Sequence, residues 1–508
     1  MQHSLVSVID FGGQYSQLIV RRIRELGVYS EMVPWMHAAD HIREKNPIAI
    51  ILSGGPRSVR EENAPDFDFA LAEGKPLLGI CYGMQLMAHR LGGRVERASD
   101  REYGRQSLST RESDALVGVM HDPQIWMSHG DRIEDIPADY AVTAQTATCP
   151  VAAMENAGAK RFGVQFHPEV SHTPDGKALL DAFLNQIDGL SRDWTAGQFI
   201  EETVESIRAQ VGTERVLCAV SGGVDSSVAA ALLTKALGDQ VTCVFVDHGL
   251  LRKDEAEEVV HMFTETFHPH LVVIRAADQF FGKLEGVTDP ETKRKIVGAE
   301  FVRCFEAHSD EFSDCQWLAQ GTLYPDVIES GSSTASTIKT HHNVGGLPDW
   351  MKLKVIEPLR WLFKDEVRAV GRALGLPEHV VDREPFPGPG LAVRVLGEVT
   401  RERVRMTQEA DAIFRHELRV QGHKPGIWQS YAALLDVRSV GVMGDERTYE
   451  QPIVLRAVTS EDAMTAEAAA LPFEFLQHVA LRIVNEVDGV NRVVYDLTGK
   501  PPGTIEWE

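Results

Sequence analysis

Ser221-Gly222-Gly223-Val224-Asp225-Ser226-Ser227 stands between the apolar run 215–220 and the Ala/Leu-rich run 227–237. That succession predicts a strand, a tight turn and a helix. Two glycines and three serines at such a turn suit a phosphate cradle. Glycine lets the backbone approach a ligand closely, the turn's N–H groups point inward, and the helix N-terminus adds positive potential. The loop has no Lys-Ser/Thr pair, so it is not the common G-x-x-x-x-G-K-S/T nucleotide loop. A Gly/Ser turn without a ligand is the plain alternative, and the strand–turn–helix order argues against it.

The chain of 508 residues is too long for one core, so several domains are expected. A hydrophobic content of 43% and a charged content of 25% are those of an ordinary soluble globular protein. The formal charge of −23 opposes nucleic acid as the main partner, because phosphate backbones select basic surfaces. Small nucleotides remain possible, since local cradles hold them. The six cysteines (Cys81, Cys149, Cys218, Cys243, Cys304 and Cys315) are scattered without a C-x-x-C pair. They suit a reducing compartment, with neither a disulfide framework nor a zinc site. The start, Met-Gln-His-Ser-Leu, lacks the basic and apolar regions of a signal peptide. No apolar run is long enough to span a bilayer. The expectation is a cytoplasmic protein with no membrane partner.

Residues 1–190 alternate strand signals (5–9, 49–52, 77–80, 162–166) with helix signals (15–26, 84–91), as an α/β sheet layered by helices does. Residues 187–194 are a plausible linker. A second alternating block, 194–383, has helix 196–211, strand 216–220, helix 227–237 and strand 241–246. The Pro/Gly-rich run 385–390 marks a rigid turn. The last block, 384–508, has helices at 401–421 and 473–486 and strands near 429–437, 453–457 and 492–496. The predicted fold class is α/β: two doubly wound α/β domains (1–190 and 194–383) plus a small C-terminal α+β domain (384–508).

Gly79-Ile80-Cys81-Tyr82-Gly83 follows an apolar run and opens a helix, which makes it a thiol version of the G-x-S-x-G nucleophile elbow. The turn crowds its flanks, so they must be glycine. It lifts the side chain to a helix N-terminus, where the dipole lowers a thiol pKa from about 8.5. A buried structural cysteine is the plain alternative. A thiolate needs a base and an orienter, and Phe166-His167-Pro168-Glu169 offers both. In an extended segment His167 and Glu169 share a face, so His167 can deprotonate Cys81 while Glu169 fixes its tautomer. The N–H groups of Tyr82 and of Gly55, in Ser53-Gly54-Gly55-Pro56, are candidate oxyanion donors.

Together with Asp10-Phe11-Gly12-Gly13-Gln14 and Ser128-His129-Gly130-Asp131, these motifs resemble the class I glutamine amidotransferase family. The resemblance implies that Cys81 attacks the carboxamide of glutamine and releases ammonia. It also implies that Gln85 and Ser128, with His129 as a loop residue positioning substrate, hold the glutamine.

The loop 221–227 resembles that of the N-type ATP pyrophosphatases, which split ATP between the α and β phosphates. Ser221, Gly222, Gly223, Val224, Asp225, Ser226 and Ser227 are then ATP-binding, and the substrate is adenylated. Asp225 reads as a Mg²⁺ ligand or as a helix-capping residue, and the two roles can coexist. In that fold adenine lies by the end of strand 241–246, which points to Val246. Lys364 matches a family position near the pyrophosphate. The polar, glycine-bearing stretch 338–348 looks like a lid bringing Lys339 to the phosphates; its His341-His342 pair is a poor metal site. Lys293-Arg294-Lys295 is either a solvated helix face or a contact to a nucleotide phosphate.

The C-terminal segments 383–391, 438–442 and 500–508 resemble the glutamine-hydrolysing GMP synthetase family, as does Gly321-Thr322-Leu323-Tyr324-Pro325-Asp326. This implies xanthosine monophosphate as the acceptor, ATP and glutamine as co-substrates, and a homodimer formed through the C-terminal domain. Arg294, Lys500 and Glu506 are its acceptor-binding candidates: Lys500 for the phosphate, Glu506 for a ribose hydroxyl or base N–H. One departure is Glu446, where the family more often carries a glycine; a changed hairpin turn is expected there. Two other readings stay open from sequence: a different pyrophosphatase-type ligase, and a nucleotide sensor built on an inactive amidotransferase.

Overall fold

The short apolar runs of the N-terminal part pair side by side because each is covered on both faces, which favours parallel strands joined by helices. The computed structural model describes residues 3–110, 116–267, 270–331, 353–443, 445–460 and 465–508. The chain divides into two units, Met1–Phe199 and Ile200–Glu508.

In the first unit the strands are β1 (Val6–Asp10), β2 (Ser30–Pro34), β3 (Ala49–Leu52), β4 (Leu77–Ile80), β5 (Arg94–Ser107), β6 (Ser109–Thr110), β7 (Gln124–Asp135), β8 (Ala141–Gln145), β9 (Ala153–Asn156) and β10 (Arg161–Val164). The main sheet runs β2-β1-β3-β4-β10-β9-β8-β6, parallel as far as β10 and antiparallel beyond it. β3 and β4 are wholly buried, and helices Ser16–Glu25 and Tyr82–Arg90 are among those flanking the sheet. β5 and β7 form a separate antiparallel ribbon. Their charge-rich sequence hides the apolar alternation that signals a strand. The expected strand 162–166 ends at Val164, where the chain leaves the sheet and carries His167 over its edge.

The second unit contains β11 (Arg215–Val220), β12 (Val241–Asp247), β13 (His270–Arg275), β14 (Cys315–Ala319) and β15 (Lys354–Ile356), all parallel in the order β13-β12-β11-β14-β15. The connections reverse direction between β11 and β14. Open α/β sheets bind ligands at the carboxyl end of such a switch point, and the loop at 221–223 leaves β11 there. The C-terminal part adds β16 (Gln429–Leu434), β17 (Ser439–Met443), β18 (Glu446–Thr459), β19 (Glu467–Ala468) and β20 (Val490–Tyr495), with helices Arg401–Val420 and Phe473–Glu486. One apolar core joins Leu217 and Val244 of the parallel sheet to Ile453 and Leu455 of β18 and to Ile483. Between β17 and β18 Asp445 has φ +66°, the left-handed region that favours glycine, just before Glu446. Among the described residues no helix is long and apolar enough to cross a membrane.

Candidate active site

β4 ends in Ile80, and Cys81 follows with φ 51° and ψ −105° as helix Tyr82–Arg90 begins. A non-glycine residue in that region is strained and persists only where the surroundings over-determine it. The Cys81 N–H bonds Val164 O of β10 at 2.8 Å, the Gly83 N–H bonds Ser53 O at 3.0 Å, and the Gln85 N–H bonds Cys81 O at 3.1 Å. Both flanking glycines are sterically required. A Cβ on Gly79 would lie 2.7 Å from Met84 N, and one on Gly83 would lie 2.4 Å from Leu52 O. The helix starts at Tyr82, two residues before the expected 84, because the elbow itself forms its first turn.

His167 is fixed by its N–H bond to Trp126 O (3.0 Å) and by the Thr173 hydroxyl on its carbonyl (2.7 Å). Its Nδ1 pairs with Glu169 Oε1 at 2.7 Å, and Glu169 is fully buried. That bond leaves Nε2 for the Cys81 thiol. Burial pushes the imidazole pKa down, but the charges of Glu169 and Cys81 and their hydrogen bonds outweigh it, so the pKa stands well above 6.5. The nearby Gly54 is tight: a Cβ there would be 3.0 Å from His167 Cε1 and 3.7 Å from Cys81 Cβ.

A cavity of about 580 Å³ opens above the thiol, lined by Cys81, His167, Glu169, Gly55, Tyr82, Gln85, Ser128 and His129. Every residue expected for the glutamine chemistry therefore meets here. Two differ in detail from expectation. Gln85 donates from Nε2 to Asp131 O (2.9 Å) and to Gln165 Oε1 (3.1 Å), which holds the wall. His129 is not in a loop; it lies within β7 opposite Glu102 of β5. Its polar, glycine-containing neighbourhood reads as a loop, but the β5 ladder holds it extended. Its ring is committed: Nδ1 to Asp131 O at 2.8 Å and Nε2 to Glu102 Oε2 at 3.0 Å. Arg97, Arg101 and Tyr103, which also line the cavity, and Glu102, which holds His129, come from β5, whose strand character the sequence conceals.

Ligand atoms of Glu102, His129 and Cys149 lie within 4.8 Å of one another. Thr146 and Thr148 hydroxyls also bond Glu102, and burial, with the Glu102 charge, pushes the Cys149 thiol up to about 12. The Cys149 thiol itself donates to Val151 O at 3.4 Å. All six cysteines are unpaired and buried.

In the second unit the helix after β11 spans Val224–Leu237, three residues longer at its start than expected. Gly223 is the N-cap residue, so the capping reading of Asp225 does not hold; Asp225 lies inside the first turn. Ser226 Oγ donates to Gly223 O (3.1 Å) and accepts from the Ser221 N–H (3.2 Å), which closes the turn. A cavity of about 410 Å³ is lined by Ser221, Gly223, Val224, Asp225 and Ser226, by Val246 at the end of β12, and by Lys364. Two expected residues face elsewhere: Ser227 is fully buried beneath the turn, and Gly222 lines a different cavity on the other side. Lys364 Nζ lies 2.5 Å from Asp225 Oδ2, while Asp225 Oδ1 is buried with no hydrogen-bond partner among the described residues. That orphaned oxygen fits a divalent cation. Residues 385–388 of the run expected to form a rigid turn, 385–390, also wall this cavity, with Arg383 and Glu384 before them. Lys339 and the rest of 338–348 lie outside the described residues.

Arg294 donates to Glu508 O at 2.5 Å, and the adjacent Lys293 is fully buried, bonded to Val395 O and Glu508 Oε2, so of Lys293-Arg294-Lys295 only Lys295 is exposed. Arg394 grips Glu506 through Nε (3.1 Å) and Nη2 (2.8 Å), and Gln429 Nε2 adds a third bond at 2.6 Å. Lys500 pairs through its backbone with Ala466. The buried Arg456 clasps the carbonyls of Thr498, Thr504 and Ile505, so the C-terminal segment is folded in.

Residues 7–187 match the family model for class-I glutamine amidotransferase, 214–266 that for the tRNA methyl transferase HUP domain, and 416–507 that for the GMP synthase C-terminal domain. The GMP synthase [glutamine-hydrolyzing] of Carboxydothermus hydrogenoformans is 58% identical over 99% of this chain and 100% of its own length. Its namesakes from Symbiobacterium thermophilum (57%, 100% of this chain and 99% of the relative) and Clostridium perfringens (55%, 99% of each) are similar throughout. A thiol elbow with its imidazole–carboxylate partners, a lysine-free Gly/Ser turn at a sheet switch point, and this end-to-end likeness agree: the chain belongs to the family of glutamine-hydrolysing GMP synthases.

Proposed function

We propose that the chain converts xanthosine monophosphate to GMP by adenylating the purine carbonyl oxygen and displacing AMP with ammonia cut from glutamine. The carrying observation is the coexistence in one chain of the Cys81–His167–Glu169 set and the phosphate turn at 221–226. Cys81 Sγ attacks the carboxamide carbon, and the N–H groups of Gly55 and Tyr82 receive the oxyanion. His167 Nε2 passes a proton to the departing nitrogen, giving ammonia and a thioester; water then releases glutamate. Ser128, Gln85 and His129 shape the glutamine pocket, and Arg97 and Arg101 supply cations for its α-carboxylate.

In the second unit the turn's N–H groups and Lys364 bind the ATP phosphates beside Val246. Lys339 is the lid cation in this reading. Asp225 Oδ1 would hold Mg²⁺, which supplies charge neutralisation for the leaving pyrophosphate. The acceptor oxygen attacks the α phosphorus and pyrophosphate departs. Ammonia then adds to the activated carbon and AMP leaves. Arg294, Lys500 and Glu506 serve the acceptor, Glu506 after exchange from Arg394. The division 1–190, 194–383 and 384–508 assigns ammonia release, adenylation, and acceptor binding with dimerisation. Exposed Val440, Val442 and Tyr449 on β17–β18 support a homodimer face. The chain works in the cytoplasm, without nucleic acid or membrane partners.

Supplying ATP, Mg²⁺, glutamine and xanthosine monophosphate is expected to yield equal amounts of GMP, AMP and pyrophosphate. ADP as the nucleotide product would refute the adenylation.

A further inference from the structure

Gly222 lies on the reverse side of the phosphate turn. Its φ is +72°, and a Cβ there would lie 2.4 Å from Val259 Cγ2 and 2.8 Å from Arg383 Nη1. Its carbonyl oxygen accepts a hydrogen bond from Arg383 Nη1. The other amino group of that guanidinium lies against the carboxylate of Glu255, whose side chain is only 5% exposed. Glu255 is set in turn by the Arg252 N–H on Oε2 at 2.7 Å. Arg383 therefore lines both the ATP cavity and a second cavity of about 1030 Å³ behind the turn. Burial, together with the charges of Arg252 and Arg415, lowers its pKa to about 9, so it stays charged near neutrality.

A cradle for anions works only if N–H groups, not carbonyl oxygens, face the ligand. The peptide linking Gly222 to Gly223 is where the turn can fail, because glycine rotates freely there. We propose that Arg383 is a positioning residue for adenylation: it fastens Gly222 O on the reverse side of the turn and so keeps the N–H groups aimed at the ATP phosphates. The inference rests on the reading of the turn as the ATP cradle. It adds a residue whose effect passes through the backbone and not through contact with reacting atoms.

The test follows ammonia-fed AMP formation, with glutamine turnover as an internal control. Losing a hydrogen bond from a charged donor is expected to raise KM for ATP and lower kcat/KM by about ten- to a hundredfold in Arg383→Ala. Glutamate release from glutamine should stay within about twofold of wild type, because the Cys81 site shares none of these groups. Guanidinium ion added to Arg383→Ala should recover part of the ATP affinity, entering from the cavity behind the turn. It should do nothing for wild type. Arg383→Lys should lie between the two, and if the alanine variant fails to fold, Arg383→Gln serves in its place. A folded Arg383→Ala with wild-type KM for ATP overturns the proposal. So does a loss that neither lysine nor guanidinium ion relieves. Asp225→Asn, run alongside, separates the two ideas: if it too leaves adenylation intact, the cradle reading itself fails; if it abolishes adenylation while Arg383→Ala does not, only the role of Arg383 fails.

Discussion

Gly83→Ala tests whether the strained elbow, and not merely the presence of a thiol, makes the glutaminase. The new methyl would stand 2.4 Å from Leu52 O and 2.6 Å from Leu52 Cβ, against a floor of 3.0 Å for real contacts. Leu52 ends the fully buried strand β3 and cannot yield, so the elbow must move outward by at least about 0.6 Å. His167 rides on a different strand end and does not follow. A nucleophile misplaced by about 1 Å loses roughly a hundredfold in rate, and overpacking of this kind costs about 1–3 kcal/mol of stability. The expected result is a folded protein whose glutamate release falls by about thirty- to a hundredfold while ammonia-fed AMP formation persists. Both rates are measured on one preparation, with a thermal melt to show folding. Glutamate release within about threefold of wild type in a folded variant would refute the steric account of the elbow.

Cys81→Ala should abolish glutamine-fed synthesis and leave ammonia-fed synthesis in place; equal loss of both would make the thiol structural. In Glu169→Gln one of the charges that lift the His167 pKa is gone while burial still lowers it, so the imidazolium loses its proton at lower pH than in wild type. Glutaminase should then fall by about 10²–10⁴-fold, with the alkaline limb of its pH profile moved to lower pH. Burial lowers the His248 pKa to about 4, only partly opposed by Asp247. The unfolded chain, titrating near 6.5, binds this proton first, so stability is lost as pH falls from about 6.5 to about 4, by about 3 kcal/mol in all. His248→Gln should flatten that part of the stability curve in chemical denaturation at a series of pH values. Lys364→Met, which frees Asp225 Oδ2, should raise KM for ATP by about tenfold or more while glutamate release stays unchanged.

Both chemical centres were legible where a motif is local. The elbow needs two glycines, a thiol and a helix start within five residues, and the phosphate turn needs its glycines and serines in one run. Each is a short-range backbone device, so its residues are neighbours in sequence. Both helices nevertheless began earlier than their apolar patterns suggested, at Tyr82 and at Val224. The candidate site residues occupy those first turns, and periodicity does not mark them. The ribbon of β5 and β7 stayed hidden because its charged residues mask the alternation, and with it Glu102 and the strand character of His129. The run 385–390 reads as rigid, but its spacing does not show that 385–388 wall the cavity beside the turn at 221–226.

By itself the sequence determined the two reactions: local motifs carry the proposed nucleophile, base and phosphate turn, because each is made by residues a few positions apart. Tertiary structure alone decided which groups are free to react and which are committed. Gln85 and His129 brace the glutamine pocket through bonds to Gln165, Asp131 and Glu102. The Gly222 carbonyl meets Arg383, a residue 161 positions away. Such partners come from separate strands and loops brought together by burial of a shared core, and hydrogen-bond pairing across those distances leaves no mark in the spacing of residues along the chain.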